Sequence, residues 1–186
     1  MLAPPELRAV HPLGKSPVIT DDATTIAESG AIIEYLVERY GGGRLIPGAG
    51  SPERLRYTYW LHFAEGSAMT PLLLKFVFDR IQAAPMPFFV KPIARSIAGK
   101  VQNTYISPNL AHHQDFMERE LSLHEWFAGA EFSAADIQMS FPVELSVARG
   151  GLDGKRPRLM QFLERIHARP SYKRALAAGG PYAYAS

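Results

Sequence analysis

A strand edge, a proline and an acid–hydroxyl pair fall close together near the start of the chain. The run His11-Pro12-Leu13-Gly14-Lys15-Ser16-Pro17-Val18-Ile19 is followed by Ile26-Ala27-Glu28-Ser29-Gly30-Ala31-Ile32. A strand beginning at Pro17 presents an unpaired edge, so Val18 can offer its N–H and C=O to a peptide-like ligand. Glu28 and Ser29 stand where a strand hands over to a helix. The first turn of a helix has free amides and a partial positive charge, which suit a carboxylate. The Ser29 hydroxyl can add a hydrogen bond, and Glu28 can pair with an ammonium. A ligand carrying both an amino and a carboxylate group matches this pair. The plainer alternative is a helix cap with an acidic neighbour, because serine is a preferred N-cap. Lys15 is either a solvated lysine or a ligand contact.

The elements that must position these residues can be read from periodicity. Two short β-branched runs, Val18-Ile19-Thr20 and Ala23-Thr24-Thr25-Ile26, flank Asp21-Asp22 and predict a hairpin. Helical spacing follows at once, with Ile32, Ile33, Leu36, Val37 and Tyr40 on one face, and Gly41-Gly42-Gly43 stops it. Leu45 to Pro52 is a Pro/Gly-rich connection. Glu53 to Arg80 then reads as a long helix with Leu55, Tyr59, Phe63, Leu72 and Phe76 inward, and Pro71 should kink or break it. Between Ala83 and Ser107, Pro85, Pro87 and Pro92 punctuate the chain, while the apolarity of Phe88, Phe89, Val90, Ile93 and Ile97 predicts burial. A helix from Asn109 to Phe127 carries Phe116, Leu123 and Phe127 in one row and Met117 and Leu121 in the next.

Ser133-Ala134-Ala135-Asp136 opens the most apolar helix, reaching about Val147, which should be central and buried. Ser133 and Asp136 have the spacing of a capping box, a structural role. Helices over Pro157–His167 and Ser171–Ala178 follow. Met1 to Leu13, with three prolines, reads as irregular, and Gly179 to Ser186 as a surface tail.

Composition narrows the function classes. With no cysteine, the chain has no disulfide, no Cys-ligated zinc and no cysteine nucleophile of its own. A net charge of +2 is too mild to make nucleic acid the main partner. No apolar run approaches the ~18 residues of a membrane helix, so no membrane partner is expected. The first residues lack the basic and apolar regions of a signal peptide, and the expected location is cytoplasmic. His112, His113 and His124 do not make a metal site, because adjacent histidines diverge on a helix and no carboxylate completes the set. Arg149-Gly150-Gly151 reads as a helix end, and the basic run from Lys155 to Arg174 as a solvated face.

The order Pro-Leu-Gly-Lys-x-Pro-Val-Ile, an acidic turn, then Ile-Ala-Glu-Ser-x-Ala-Ile-x-x-Tyr-Leu resembles the glutathione-binding half of a cytosolic glutathione S-transferase. Phe132-Ser133-Ala134-Ala135-Asp136-Ile137 is similar to the box that opens a helix in that family's C-terminal domain. The resemblance runs from about Pro5 to Leu176. It implies an α+β, mostly helical fold: a partial thioredoxin-like module over residues 1–46, a linker over 47–52, an all-helical domain over 53–178 and a tail over 179–186. Pro17 would be the cis-proline and Val18 the backbone partner of the cysteinyl part of glutathione. Glu28 and Ser29 would hold the γ-glutamyl end, and Lys15 would lie near the glycine carboxylate. His11 stands where the family often has Asn. Trp60, Phe63 or Met69 would touch a hydrophobic electrophile.

The implied activity is conjugation of the glutathione thiolate to hydrophobic electrophiles, by a homodimer and without a metal. Family members usually begin with a β-α-β unit of roughly 35–50 residues that carries a thiol-activating Tyr, Ser or Cys. No Tyr and no Ser precede Ser16 here. The expectation is that the chain start was placed too late and that the catalytic residue lies outside these residues. The alternative is a non-catalytic interaction module of the same fold. Peroxidase, reductase or isomerase chemistry would use the same glutathione site.

Overall fold

In the computed structural model, which describes residues 3–180, 182 and 184, the early prolines start a helix rather than prevent one. Helix α1 spans Pro5–Val10, with Pro4 as its N-cap and Pro5 in the first turn. A proline there sacrifices no hydrogen bond, since the first amides of a helix have no intrahelical partner. This corrects the irregular segment expected for the start of the chain; Met1 and Leu2 lie outside the described residues.

Strands β1 (Val18–Asp21) and β2 (Thr24–Ala27) form an antiparallel hairpin, with Val18 opposite Ala27 and Asp21 opposite Thr24. Asp22 takes φ 51° in the turn, a conformation aspartate tolerates better than most residues. Helix α2 (Ser29–Tyr40) returns across the hairpin. The Asp21 carboxylate ties the two together: it accepts from the Tyr35 hydroxyl at 2.7 Å and from the Tyr40 hydroxyl, and pairs with Arg39 at 3.4 Å. These two hydroxyls hold the Asp21 carboxyl below its ordinary range. Ile32 and Val37 are buried as expected, whereas Leu36 and Tyr40 are exposed, the latter drawn out by its bond to Asp21.

The long helix expected up to Arg80 is divided. Helix α3 (Pro52–Phe63) and helix α4 (Met69–Ala83) are joined by a π-helical turn over Ala64–Ala68. The turn lies just upstream of Pro71. A proline has no amide to donate and its ring crowds the carbonyl four residues back, so the backbone widens before it. The Thr70 hydroxyl donates to the Gly66 carbonyl at 2.8 Å within that turn. The device recurs between helix α5 (Lys91–Val101) and helix α6 (Ser107–Leu123): a π-helical turn over Gln102–Ile106 precedes Pro108. On α3 the inward residues are Tyr57, Trp60, Leu61 and Phe63, while Leu55 and Tyr59 are exposed, which corrects the expected face.

The core forms around Trp60, which stacks on Phe116 at 5.4 Å between ring centroids and lies 4.5 Å from Phe127. Phe162, from helix α8 (Pro157–Ala168), meets Phe127 edge-on at 4.9 Å. Helix α7 (Ala134–Ala148) runs through this core and contacts α2, α3, α4 and α8. A smaller apolar cluster gathers Leu72, Ile106, Leu110 and Leu145. Helix α6 ends at Leu123, earlier than expected, and leaves that side chain exposed. Phe127 is buried from a tight turn closed by a Trp126–Gly129 bridge.

Three other expectations are corrected. Phe88, Phe89, Val90, Ile93 and Ile97 are exposed rather than buried. The basic run is partly engaged: Arg156 pairs with Asp115 at 2.8 Å, Arg165 lies over the Trp126 ring and Arg169 over the Phe132 ring. Helix α9 (Pro170–Gly179) is followed by Tyr182, whose hydroxyl donates to buried Glu144 at 2.6 Å. Tyr172 and His167 bind the same carboxylate, at 3.0 and 2.8 Å. Tyr182 is thus half-buried rather than a surface residue; Pro181, Ala183, Ala185 and Ser186 lie outside the described residues.

Candidate functional site

The peptide bond Ser16–Pro17 is cis and leads directly into β1. Among the described residues β1 pairs with β2 alone, so its second edge retains unpaired backbone groups. Val18 is half-buried there, while Lys15 and Pro17 are exposed.

Glu28 links β2 to α2 with φ 74° and ψ 123°, a conformation that is costly for a residue with a Cβ. Its side chain caps nothing and is exposed. Its carbonyl accepts the first intrahelical bond, from the Ile32 amide at 2.9 Å. The amides of Ser29, Gly30 and Ala31 therefore precede the helical ladder, the usual state of a helix N-terminus. Ser29 is the first helical residue and is half-buried. Carboxylate, free amides and hydroxyl are brought together by this short strand-to-helix corner.

Two further residues belong to this neighbourhood, and periodicity alone did not single them out. Glu65 lies on the π-helical turn between α3 and α4 and accepts from Gln138 Nε2 of α7 at 2.5 Å. Partial desolvation, and then the charge of Glu28, hold the Glu65 carboxyl above its ordinary range. In the sequence Glu65 is one polar residue within a mixed stripe. Its register depends on the widened turn, for which Pro71 was the available signal.

The remaining candidates occupy other environments. Trp60 is 1% exposed and Phe63 is also buried, both packed in the aromatic core. Trp60 also lies at the floor of a shallow depression lined by Leu55, Tyr59 and Phe116. Met69 is half-buried against the smaller cluster, with Tyr184 packed on the same cluster. His113 sets its ring against Phe63 at 5.7 Å, and burial followed by the neighbouring His112 lowers its pKa. Asp136 is fully buried and accepts from the Phe127 amide (2.8 Å), the Ser133 amide (2.8 Å) and the Ser133 hydroxyl (2.9 Å). Burial outweighs those bonds and pushes its pKa up to about 6. A cleft of about 910 Å³ lies elsewhere, between the linker and the turn before α7, lined by Leu45, Pro47, Trp126, Phe132 and Arg169. It holds none of the residues of the strand-to-helix corner.

Residues 2–44, which include the cis-proline, β1 and the Glu28–Ser29 corner, match the family described as glutathione S-transferase, N-terminal domain. The chain is 30% identical over 178 residues to glutathione S-transferase 1 of Saccharomyces cerevisiae, covering 91% of this chain and 76% of that protein. The chain belongs to the glutathione S-transferase family. It is also 36% identical over 141 residues to glutathione S-transferase 3 of Schizosaccharomyces pombe, a match spanning 76% of this chain and 58% of that one. A sphingomonad glutathione S-transferase, solved in complex with glutathione, superposes with a TM-score of 0.71 at 26% identity, over 94% of this chain and 79% of that one. The transferase fold here is α+β and mostly helical, a thioredoxin-like module followed by a helical domain.

Proposed function

We propose that the chain binds glutathione at the β1–α2 corner and serves transfer of its thiolate to hydrophobic electrophiles. One observation carries the reading. The strained backbone at Glu28 sets a carboxylate beside three unpaired amides and the Ser29 hydroxyl, next to the open edge of β1. The amides and Ser29 suit the α-carboxylate of the γ-glutamyl end, and Glu28 its ammonium. Val18 supplies backbone pairing for the cysteinyl unit, and Lys15 a cation for the glycine carboxylate. Free thiols ionise near pH ~8.5, so transfer requires a donor that stabilises the thiolate and a dry surface for the electrophile. Met69 is the residue of the proposed pocket with accessible surface. In this reading residues 1–46 form the glutathione module and 53–178 the helical domain, acting as a cytoplasmic homodimer.

Calorimetric titration with glutathione tests the reading. Binding in the micromolar-to-millimolar range is expected, and Ser29→Ala should weaken it about tenfold, roughly 1.4 kcal/mol. A folded chain that does not bind, or binding indifferent to Ser29, would refute it.

Glu65 adds a test by pH. A bound ammonium favours the charged form of a nearby carboxylate, so binding should draw the raised Glu65 pKa down and release protons. Affinity should then rise with pH through the Glu65 titration. Proton release is read from the dependence of binding heat on buffer ionisation enthalpy, and Glu65→Gln should abolish that component.

A further inference from the structure

We propose that the tip of the α4–α5 hairpin docks onto an anionic membrane surface. The connection between the helices, Ala84 to Val90, contains Pro85 and Pro87, and Pro92 stands in the first turn of α5. The Val90 and Lys91 amides both return to the Pro87 carbonyl, at 3.0 and 3.3 Å, closing a tight turn. This turn displays Phe88 and Phe89 outward, 85% and 64% exposed, with their rings edge to face at 5.5 Å. Exposure of that degree means a convex point rather than a wall of a groove. Ile93 and Ile97, four residues apart, continue the exposed apolar surface along one side of α5.

Charge selects the occupant. From Arg80 to Gln114 the chain carries four cations, Arg80, Lys91, Arg95 and Lys100, and no acidic residue. The whole chain has a net charge of only +2, so the rest of it is net negative. Asp79, just before the segment, is already engaged by Lys75 and Gln102, both at 2.8 Å. Among the described residues, the ion pairs involve none of Lys91, Arg95 and Lys100. Basic residues elsewhere, such as Arg156, Arg165 and Arg169, are spent on internal contacts.

A projecting aromatic pair, an exposed apolar stretch of α5 and nearby cations outside the ion pairs suit a bilayer interface with acidic headgroups. A second copy would bring the same cations against themselves in a two-fold contact. No helix among the described residues is long and apolar enough to cross a membrane, so the hairpin would lie on the surface. The lack of a spanning run, on which the expectation of no membrane partner rests, does not bear on interfacial docking, which needs none.

The test is flotation of the full chain with phosphatidylcholine vesicles, with or without phosphatidylserine. Binding to the phosphatidylserine vesicles is expected, and at least about tenfold weaker binding to phosphatidylcholine alone or at high salt. Phe88→Ser with Phe89→Ser, and separately Lys91→Glu with Arg95→Glu, should each reduce it by about tenfold or more. Far-UV circular dichroism and the thermal midpoint should not move, because all four side chains are exposed. Phe88→Trp should show a blue shift of emission on adding phosphatidylserine vesicles, over a constant background from buried Trp60 and Trp126. Absence of binding, or binding unchanged in both double variants, overturns the proposal. So does a dimer in sedimentation that the phenylalanine variant dissociates while vesicles bind nothing, which would make the tip a contact between copies.

Discussion

Asp136→Ala should destabilise the fold by about 3–5 kcal/mol, a large share of the ~5–15 kcal/mol typical of a domain. The carboxylate is fully buried and is the acceptor for the Phe127 amide and for both the amide and the hydroxyl of Ser133. Alanine leaves those donors buried and unmatched, at about 1–3 kcal/mol each. The Phe127 turn and the start of α7 would loosen together, and Phe127 is a neighbour of Trp60 in the core. For a chain of this size the midpoint should fall by roughly 6–20 °C. Asp136→Asn should fall in between, because its oxygen can still accept from Phe127 while its amide group confronts the Ser133 donor. Urea titration checks the series, and a cost below about 1 kcal/mol for alanine would refute the role.

The same residue predicts a pH dependence. Its folded pKa, about 6, is raised above the unfolded carboxylate value near ~3.9. The associated stabilisation is therefore fully present below the unfolded value and is lost as pH rises through about 6. The alanine variant should lack that component.

Glu28→Gly should separate binding from folding. Glutathione affinity should fall between about ten- and a hundredfold, the loss of a charge-assisted contact of roughly 1.5–3 kcal/mol. Stability should stay level or rise by about 1 kcal/mol, since glycine adopts φ 74° freely and relieves strain of about 1–3 kcal/mol, offset partly by its extra unfolded-state freedom. Glu28→Ala should lose the affinity without the gain in stability. Calorimetry and thermal unfolding on the same preparations give both readouts. A stability loss exceeding the affinity loss would make Glu28 a structural residue.

Much of the architecture was legible because it depends on local rules. The hairpin follows from β-branched runs around an acidic turn, and α7 from a Ser133–Asp136 capping box followed by a largely apolar stretch. The α8 face of Leu159, Phe162, Leu163 and Ile166 is buried as its spacing predicts. The errors arise where local apolarity meets a tertiary choice. Leu55 and Tyr59 share a helical row with Phe63, yet the core takes the adjacent row of Tyr57, Trp60 and Leu61, which meets α6 and α7. Phe88, Phe89, Ile93 and Ile97 are apolar enough for a core, but the hairpin projects them beyond the elements that would cover them.

The sequence by itself determined the residues of the β1–α2 corner and their order, because a strand, a short turn and a helix start are contiguous and each is specified by neighbours. The tertiary structure alone decided that Glu65 and Gln138 meet, since they come from separate helices and the register of Glu65 is set by the widened turn before Pro71. It alone decided that Trp60 and Phe63 serve the core, because burial belongs to the packing of several helices and not to the polarity of any one of them.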